Sequence, residues 1–264
     1  SPWGNDDSIK TNYINVEIEP DIDIEPQEYI VNLLPDSSLT DSLLISNTGD
    51  GQLNWQIDYE STSKSNPQVL IMSAGHDPTT TKNEIVSTGK FNAGDIDLLE
   101  DPSGLTLNDI ADYDAILVYG NQAFSNPANV GDVLKEYVDN GGGVIITTYC
   151  LSSTWAIDGG ILDAYYSPFL PAGTQSVAGI IDMSSLPEPE HSIFADLTEA
   201  PDYWSNYNYS NPTLNTGGNI LAYDTSGNKV VAENDDKNVV GIVIYSGYLD
   251  DCNAATKNMY ANSL

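Results

Sequence analysis

Short apolar runs alternate with helix-spaced segments from Gln68 onward. Gln68-Val69-Leu70-Ile71-Met72-Ser73-Ala74-Gly75 reads as a buried strand, and a helix is expected around Lys82 to Thr88. A second short strand is expected near Asp95 to Leu99, followed by Ala115-Ile116-Leu117-Val118-Tyr119-Gly120. From Val130 to Asn140 the apolar residues recur at helical spacing until Gly141 to Gly143 stop the helix. Val144 to Cys150 forms the next strand, Val239 to Tyr245 a late one, and Met259 to Leu264 begins a last helix. Uniformly apolar strands separated by helices imply parallel strands covered on both faces, an α/β doubly wound, mostly parallel sheet. Ligands of such sheets gather at the carboxyl ends of the strands, and Cys150 falls at one of them.

Residues 13 to 60 follow a different rhythm. Tyr13-Ile14-Asn15-Val16-Glu17-Ile18-Glu19 alternates apolar and polar, as half-exposed antiparallel strands do. Pro20, Pro26 and Pro35 mark strand ends or edges. Leu39 to Ile57 predicts two strands around an Asn/Gly/Asp turn. The expected organisation is a tail with a small antiparallel β module over 1–66 and an α/β domain over 67–264. A short sheet leaves open edges that invite strand addition, from copies of the same chain or from other surface proteins.

Charge narrows the partners. The chain of 264 residues carries 39 acidic and 8 basic residues, a formal charge of −31. Every basic residue is a lysine, so nucleic acid and anionic lipid are repelled and no guanidinium fork is present for phosphate. The lack of an apolar run of about 18 residues argues against membrane insertion. Acidic clusters at Asn5-Asp6-Asp7, Asp21-Ile22-Asp23, Glu233 to Asp236 and Asp250-Asp251 offer hard oxygens. Asp235, Asp236, Asp250 and Asp251 are the candidate Ca2+ ligands, although none of these clusters has the EF-hand spacing. No phosphate loop or zinc spacing is present, so no other cofactor is expected. The opening Ser1-Pro2-Trp3 without Met, the Asn208-Tyr209-Ser210 sequon and the Asn, Ser, Thr and Tyr content lead to an extracellular or cell-surface expectation.

The block Ser42 to Ile57, "SLLISNTGDGQLNWQI", resembles the immunoglobulin-like modules repeated in secreted bacterial surface proteins. A complete sandwich of that kind needs about 100 residues and seven strands, so the resemblance implies a partial module. Residues 68–264 resemble glutamine-amidotransferase-like, flavodoxin-like domains through "QVLIMSAG", "ADYDAILVYG", "LKEYVDNGGGVIITTYC", "EPEHSIF" and "GNKVVAENDDKNVVGIVIYSGYLDD". In that family the nucleophile sits on a Gly-x-Cys-x-Gly elbow, with a His and a Glu after a late strand. Here Thr148-Tyr149-Cys150-Leu151-Ser152 has neither glycine, and Ser246 to Cys252 has no histidine. The resemblance therefore implies a degenerate, noncatalytic relative.

Three uses of the remaining chemistry stay open. Cys150 and Cys252 both follow strands on one edge of the sheet, and a disulfide between them needs Cα atoms about 5.5 Å apart. Such a bond would close a loop of about 100 residues, worth roughly 4–5 kcal/mol in the chain-entropy view, and the even count suits an exported protein. Alternatively Cys150 is a nucleophile served by His76 or His191, the two histidines of the chain. Aromatics interleaved with Asn and Ser at Tyr203, Trp204, Tyr207 and Tyr209 suit stacking on glycans, with Trp155 and Tyr165-Tyr166 bordering the same cleft. The combined expectation is a noncatalytic structural or adhesive surface protein that assembles through its open β edge. The alternatives are a secreted cysteine-dependent hydrolase or amidotransferase-like enzyme, and a carbohydrate-binding module.

Overall fold

The computed structural model describes residues 21–25, 42, 44–52, 67–173, 178–203 and 212–264, and the chain divides into two compact units, Ser1–Thr62 and Ser63–Leu264. In the first unit Ile22–Glu25 and Leu44–Asn47 pair antiparallel, from Ile22 opposite Asn47 to Glu25 opposite Leu44. Asn47 closes the following turn: its Oδ1 accepts from Asp21 N at 3.0 Å and Gly49 N at 3.1 Å, and its Nδ2 donates to Gly51 O at 2.6 Å. A short amide that bonds its own downstream backbone is the reason Asn recurs in such turns. The expected strands at Tyr13 to Glu19 and Leu53 to Ile57 lie outside the described residues.

The second unit is built on seven strands: β1 Val69–Ala74, β2 Ile96–Glu100, β3 Ala115–Gly120, β4 Gly143–Thr147, β5 Gly218–Tyr223, β6 Lys229–Asn234 and β7 Val239–Ile242. Their order is β5-β6-β7-β4-β3-β1-β2. β2, β1, β3, β4 and β7 run parallel, and β5 and β6 extend the sheet antiparallel. All six residues of β1 and of β3 are buried, as two-sided coverage demands. The mostly parallel α/β sheet is thus the predicted one. The apolar pattern marks β7 but not the β5–β6 hairpin that flanks it.

The helices are α1 Thr79–Ser87, α2 Pro127–Asp139 and α3 Ala254–Ser263. α2 buries Val130, Val133, Leu134, Tyr137 and Val138 on one face. Asn126 caps it through Asn129 N at 3.3 Å, with Pro127 at its first turn. Gly131 sits mid-helix because a side chain there would fall 1.6 Å from Asp158 O. α3 starts five residues before the expected Met259, because Asn253 accepts from Thr256 N at 3.0 Å and caps it there.

Two strand ends differ from expectation. β4 stops at Thr147, and Thr148 to Cys150 form a turn. β7 stops at Ile242, leaving Val243 to Tyr245 buried but irregular. The parallel register of β1, β3, β4 and β7 brings all four carboxyl ends to one edge.

Candidate functional site at the carboxyl edge

The turn after β4 decides what Cys150 can do. Tyr149 occupies the left-handed region with φ of 72°, an uncommon conformation for an aromatic residue. The elbow of the sheet is therefore Tyr149, one residue before the cysteine. Cys150 is fully buried, and its backbone oxygen accepts from Ile157 N at 3.0 Å. Burial pushes its thiol well above the ordinary cysteine range, which suppresses the thiolate that any nucleophilic role requires. Among the described residues neither imidazole hydrogen-bonds a thiol.

His76 follows β1 on a turn made by Gly75, whose φ of +70° and close approach to the Gln122 side chain (2.3 Å for an added Cβ) exclude a side chain. Ser73 Oγ donates to His76 O at 2.7 Å and fixes that turn. The imidazole Nδ1 then lies 2.7 Å from Tyr245 OH. Tyr245 is buried at the centre of a ring cluster. Its centroid is 5.1 Å from Tyr149, 5.3 Å from Tyr248, 5.7 Å from Tyr119 and 5.9 Å from His76. Trp155 meets Tyr149 at 5.0 Å and His76 meets Tyr248 at 5.0 Å. Most of these pairs are edge-on or tilted, the arrangement that ring quadrupoles favour.

Hydroxyls continue the cluster inward. Thr81 Oγ1 hydrogen-bonds Tyr119 OH and Ser246 O, each at 3.0 Å, and Thr147 Oγ1 lies 3.3 Å from Ser246 Oγ. Thr148 Oγ1 is buried with no partner. Burial raises the Tyr119 phenol to about 12 and the Tyr245 phenol further, so both stay protonated. Gly247 is demanded by this packing, since an added Cβ would lie 2.5 Å from His76 Nδ1 and from Tyr245 OH. One signal for the cluster stood in the sequence: Tyr119 and Tyr245 each fall at the end of an apolar run, and Tyr149 follows Val144-Ile145-Ile146 by two threonines.

His191 belongs elsewhere. It caps the short helix Ser192–Phe194, with Nδ1 accepting from Ile193 N at 3.2 Å and Nε2 lying 3.0 Å from Glu233 Oε2. Lys237 Nζ lies 3.3 Å from the other oxygen of Glu233. Burial raises the Glu233 carboxyl, but His191 and Lys237 outweigh it and the net direction is down. Glu233 pairs with Val240 near the start of β7, whereas Cys150 lies beyond the end of β4. A Cys150–His191 pair is therefore ruled out by topology, and His76 is bonded to Tyr245 instead.

The expected disulfide is not formed: Cys150 and Cys252 are both free. Ser246–Asp251 winds into a 3-10 segment after β7, and Cys252 closes it, its Sγ donating to Tyr248 O at 3.8 Å. The expected calcium ligands are not brought together either. Asp235 and Asp236 fill the turn from β6 into β7 at the amino edge, while Asp250 and Asp251 follow β7 at the carboxyl edge. Asp235 Oδ1 instead accepts from Asn219 Nδ2 at 2.8 Å. Among the described residues no three His, Cys, Asp or Glu side chains are grouped to hold a metal ion. Tyr203 is buried, and its hydroxyl donates to Asp224 Oδ2 at 2.6 Å, so it is a core residue and no stacking platform. Trp204, Tyr207 and Tyr209 lie outside the described residues.

No family model matches the chain, and no curated protein matches it. Solved structures do. A ThuA-like protein from Bacteroides uniformis is 14% identical with a TM-score of 0.53, covering 80% of this chain and 94% of its own. PurLQS from Thermotoga maritima is 11% identical with a TM-score of 0.50, covering 75% of this chain and 97% of its own. At such identities the likeness speaks for architecture and not for residues. The α/β unit has an amidotransferase-like fold.

Proposed function

We propose that the chain is a noncatalytic surface protein in which the amidotransferase-like domain serves as a scaffold for structural or adhesive contacts. The observation that carries this reading is the state of Cys150: fully buried, its thiol raised by burial, and bonded to no imidazole. Aromatic packing fills the carboxyl edge where a thiol enzyme would hold its base. A formal charge of −31 without arginine suits a solvated extracellular surface. The antiparallel pair of the first unit, with Leu44 63% exposed, supports strand addition by another copy of the chain.

A second reading is a cysteine-dependent amidotransferase-like hydrolase using Cys150, and the fold itself favours it, since ligands of doubly wound sheets collect at this edge. One experiment separates the two. The native protein is treated with iodoacetamide near neutral pH and assayed for glutamine hydrolysis, and its sedimentation is followed over a range of concentrations. The scaffold reading expects an unlabelled Cys150, no turnover and association that grows with concentration. Rapid labelling of Cys150 together with thiol-dependent ammonia release would replace it with the enzyme reading.

A further inference from the structure

The ring cluster at the carboxyl edge is a continuous path from the surface to one hydrogen-bonded phenol. Trp155 and Tyr149 are half-buried and touch at 5.0 Å between centroids, at 70°. Tyr149 touches the buried Tyr245 at 5.1 Å and 61°. Tyr245 OH ends the path 2.7 Å from His76 Nδ1. Indole and phenol are the side chains most readily oxidised by one electron after the thiol, and rings in edge contact exchange electrons readily. A phenol gives up an electron far more easily when a base can take its proton at the same moment.

We propose that Trp155, Tyr149 and Tyr245 form a conduit that moves a one-electron oxidation from the surface to Tyr245, where His76 takes the phenolic proton. The co-reactant is a one-electron oxidant of the carbonate-radical or hydroxyl-radical class. It removes one electron from the Trp155 indole and is itself reduced. Tyr149 relays an electron from Tyr245 to the indole, which returns to its starting state. The Tyr245 O–H bond breaks, its electron having left along the path, and its proton moves to Nδ1 of His76 in the tautomer that carries its own hydrogen on Nε2. The products are a neutral tyrosyl radical at Tyr245, an imidazolium at His76 and the reduced oxidant. The proton never leaves the hydrogen bond, so little solvent has to reorganise. This activity goes beyond the scaffold reading and does not depend on assembly or on Cys150.

The test is pulse radiolysis of the full chain with azide radical, which oxidises tryptophan first, followed by high-field electron paramagnetic resonance of the trapped radical. The conduit expects conversion of indolyl to tyrosyl radical in the native protein, and loss of that conversion in Trp155→Phe and Tyr149→Phe. It also expects a tyrosyl spectrum with the signature of a hydrogen-bonded phenoxyl, lost in Tyr245→Phe and altered in His76→Gln. The Phe variants keep ring packing, and far-ultraviolet circular dichroism checks that each one folds. The other tryptophans and tyrosines act as internal controls. Conversion that is unchanged in Trp155→Phe, or one and the same spectrum in Tyr245→Phe, His76→Gln and the native chain, overturns the proposal.

Discussion

The hydroxyl of Tyr245 and Nδ1 of His76 lie 2.7 Å apart, tying the segment after β7 to the turn after β1 across the width of the parallel sheet. Their contact depends on two glycines: Gly75 lets the chain turn with φ of +70°, and Gly247 leaves room for both rings. Removing the hydroxyl in Tyr245→Phe keeps the ring and deletes the bond. A neutral hydrogen bond of this kind contributes about 0.5–1.5 kcal/mol, so urea denaturation should show a loss in that range. Gly247→Ala should cost more, about 1–3 kcal/mol, because rings on both sides must move. Equal midpoints for Gly247→Ala and the native protein would show that the cluster is looser than its distances imply.

The two thiols should differ in reactivity. Burial raises Cys252 to about 12 and Cys150 beyond that, and only Cys252 is partly exposed. Labelling with a thiol reagent at neutral pH should be slow overall and reach Cys252 first. Cys150 should react on the timescale of unfolding, in step with the loss of tertiary circular dichroism. Mass spectrometry of peptides taken through the reaction checks the order, and first labelling at Cys150 contradicts it.

Acid should weaken the fold through Glu233. Its carboxyl is depressed below the ordinary 4.5 by His191 and Lys237, which outweigh the opposing effect of burial. A carboxyl with a lower pKa folded than unfolded stabilises the fold above the unfolded value. That stabilisation disappears as pH falls from about 4.5 through the folded value. Glu233→Gln should therefore flatten the pH dependence of the melting temperature on the acid side while lowering it near neutrality. A melting profile parallel to that of the native protein below pH 4.5 would speak against this role.

Much of this architecture could be read from the residues. β1 and β3 announced themselves because both faces are covered, which leaves the run almost wholly apolar, with only Ser73 polar in β1 and its hydroxyl bonded to His76 O. The end of β4 did not, since only the left-handed conformation of Tyr149 shows that the chain has left the sheet before Cys150. The disulfide expectation failed on the 3-10 segment Ser246–Asp251, whose sequence carries no distinctive stop or start signal. Tyr203 looked like part of an exposed aromatic run, yet it is held inside by a partner 21 residues away. Contacts of that range have no local signature, and they decide which aromatic faces water.

That Tyr203–Asp224 contact predicts a larger single-hydroxyl effect than the Tyr245–His76 contact. The bond is 2.6 Å long and the carboxylate is buried; Asp224 also accepts from Ser226 N at 2.9 Å, Asn228 N at 2.8 Å and Asn228 Nδ2 at 2.8 Å. Burial raises the Asp224 carboxyl, but these four donors outweigh it and hold it below its ordinary value. Tyr203→Phe removes one donor and leaves a charged oxygen short of a partner in a dry site. A bond to a charged group contributes about 1.5–3 kcal/mol, so the loss should exceed that of Tyr245→Phe. Tyr203 also anchors the short pairing of Asp202–Tyr203 with Gly179–Ile180, so amide exchange there should quicken in the variant. A stability change for Tyr203→Phe no larger than for Tyr245→Phe would mean that water replaces the phenol at Asp224.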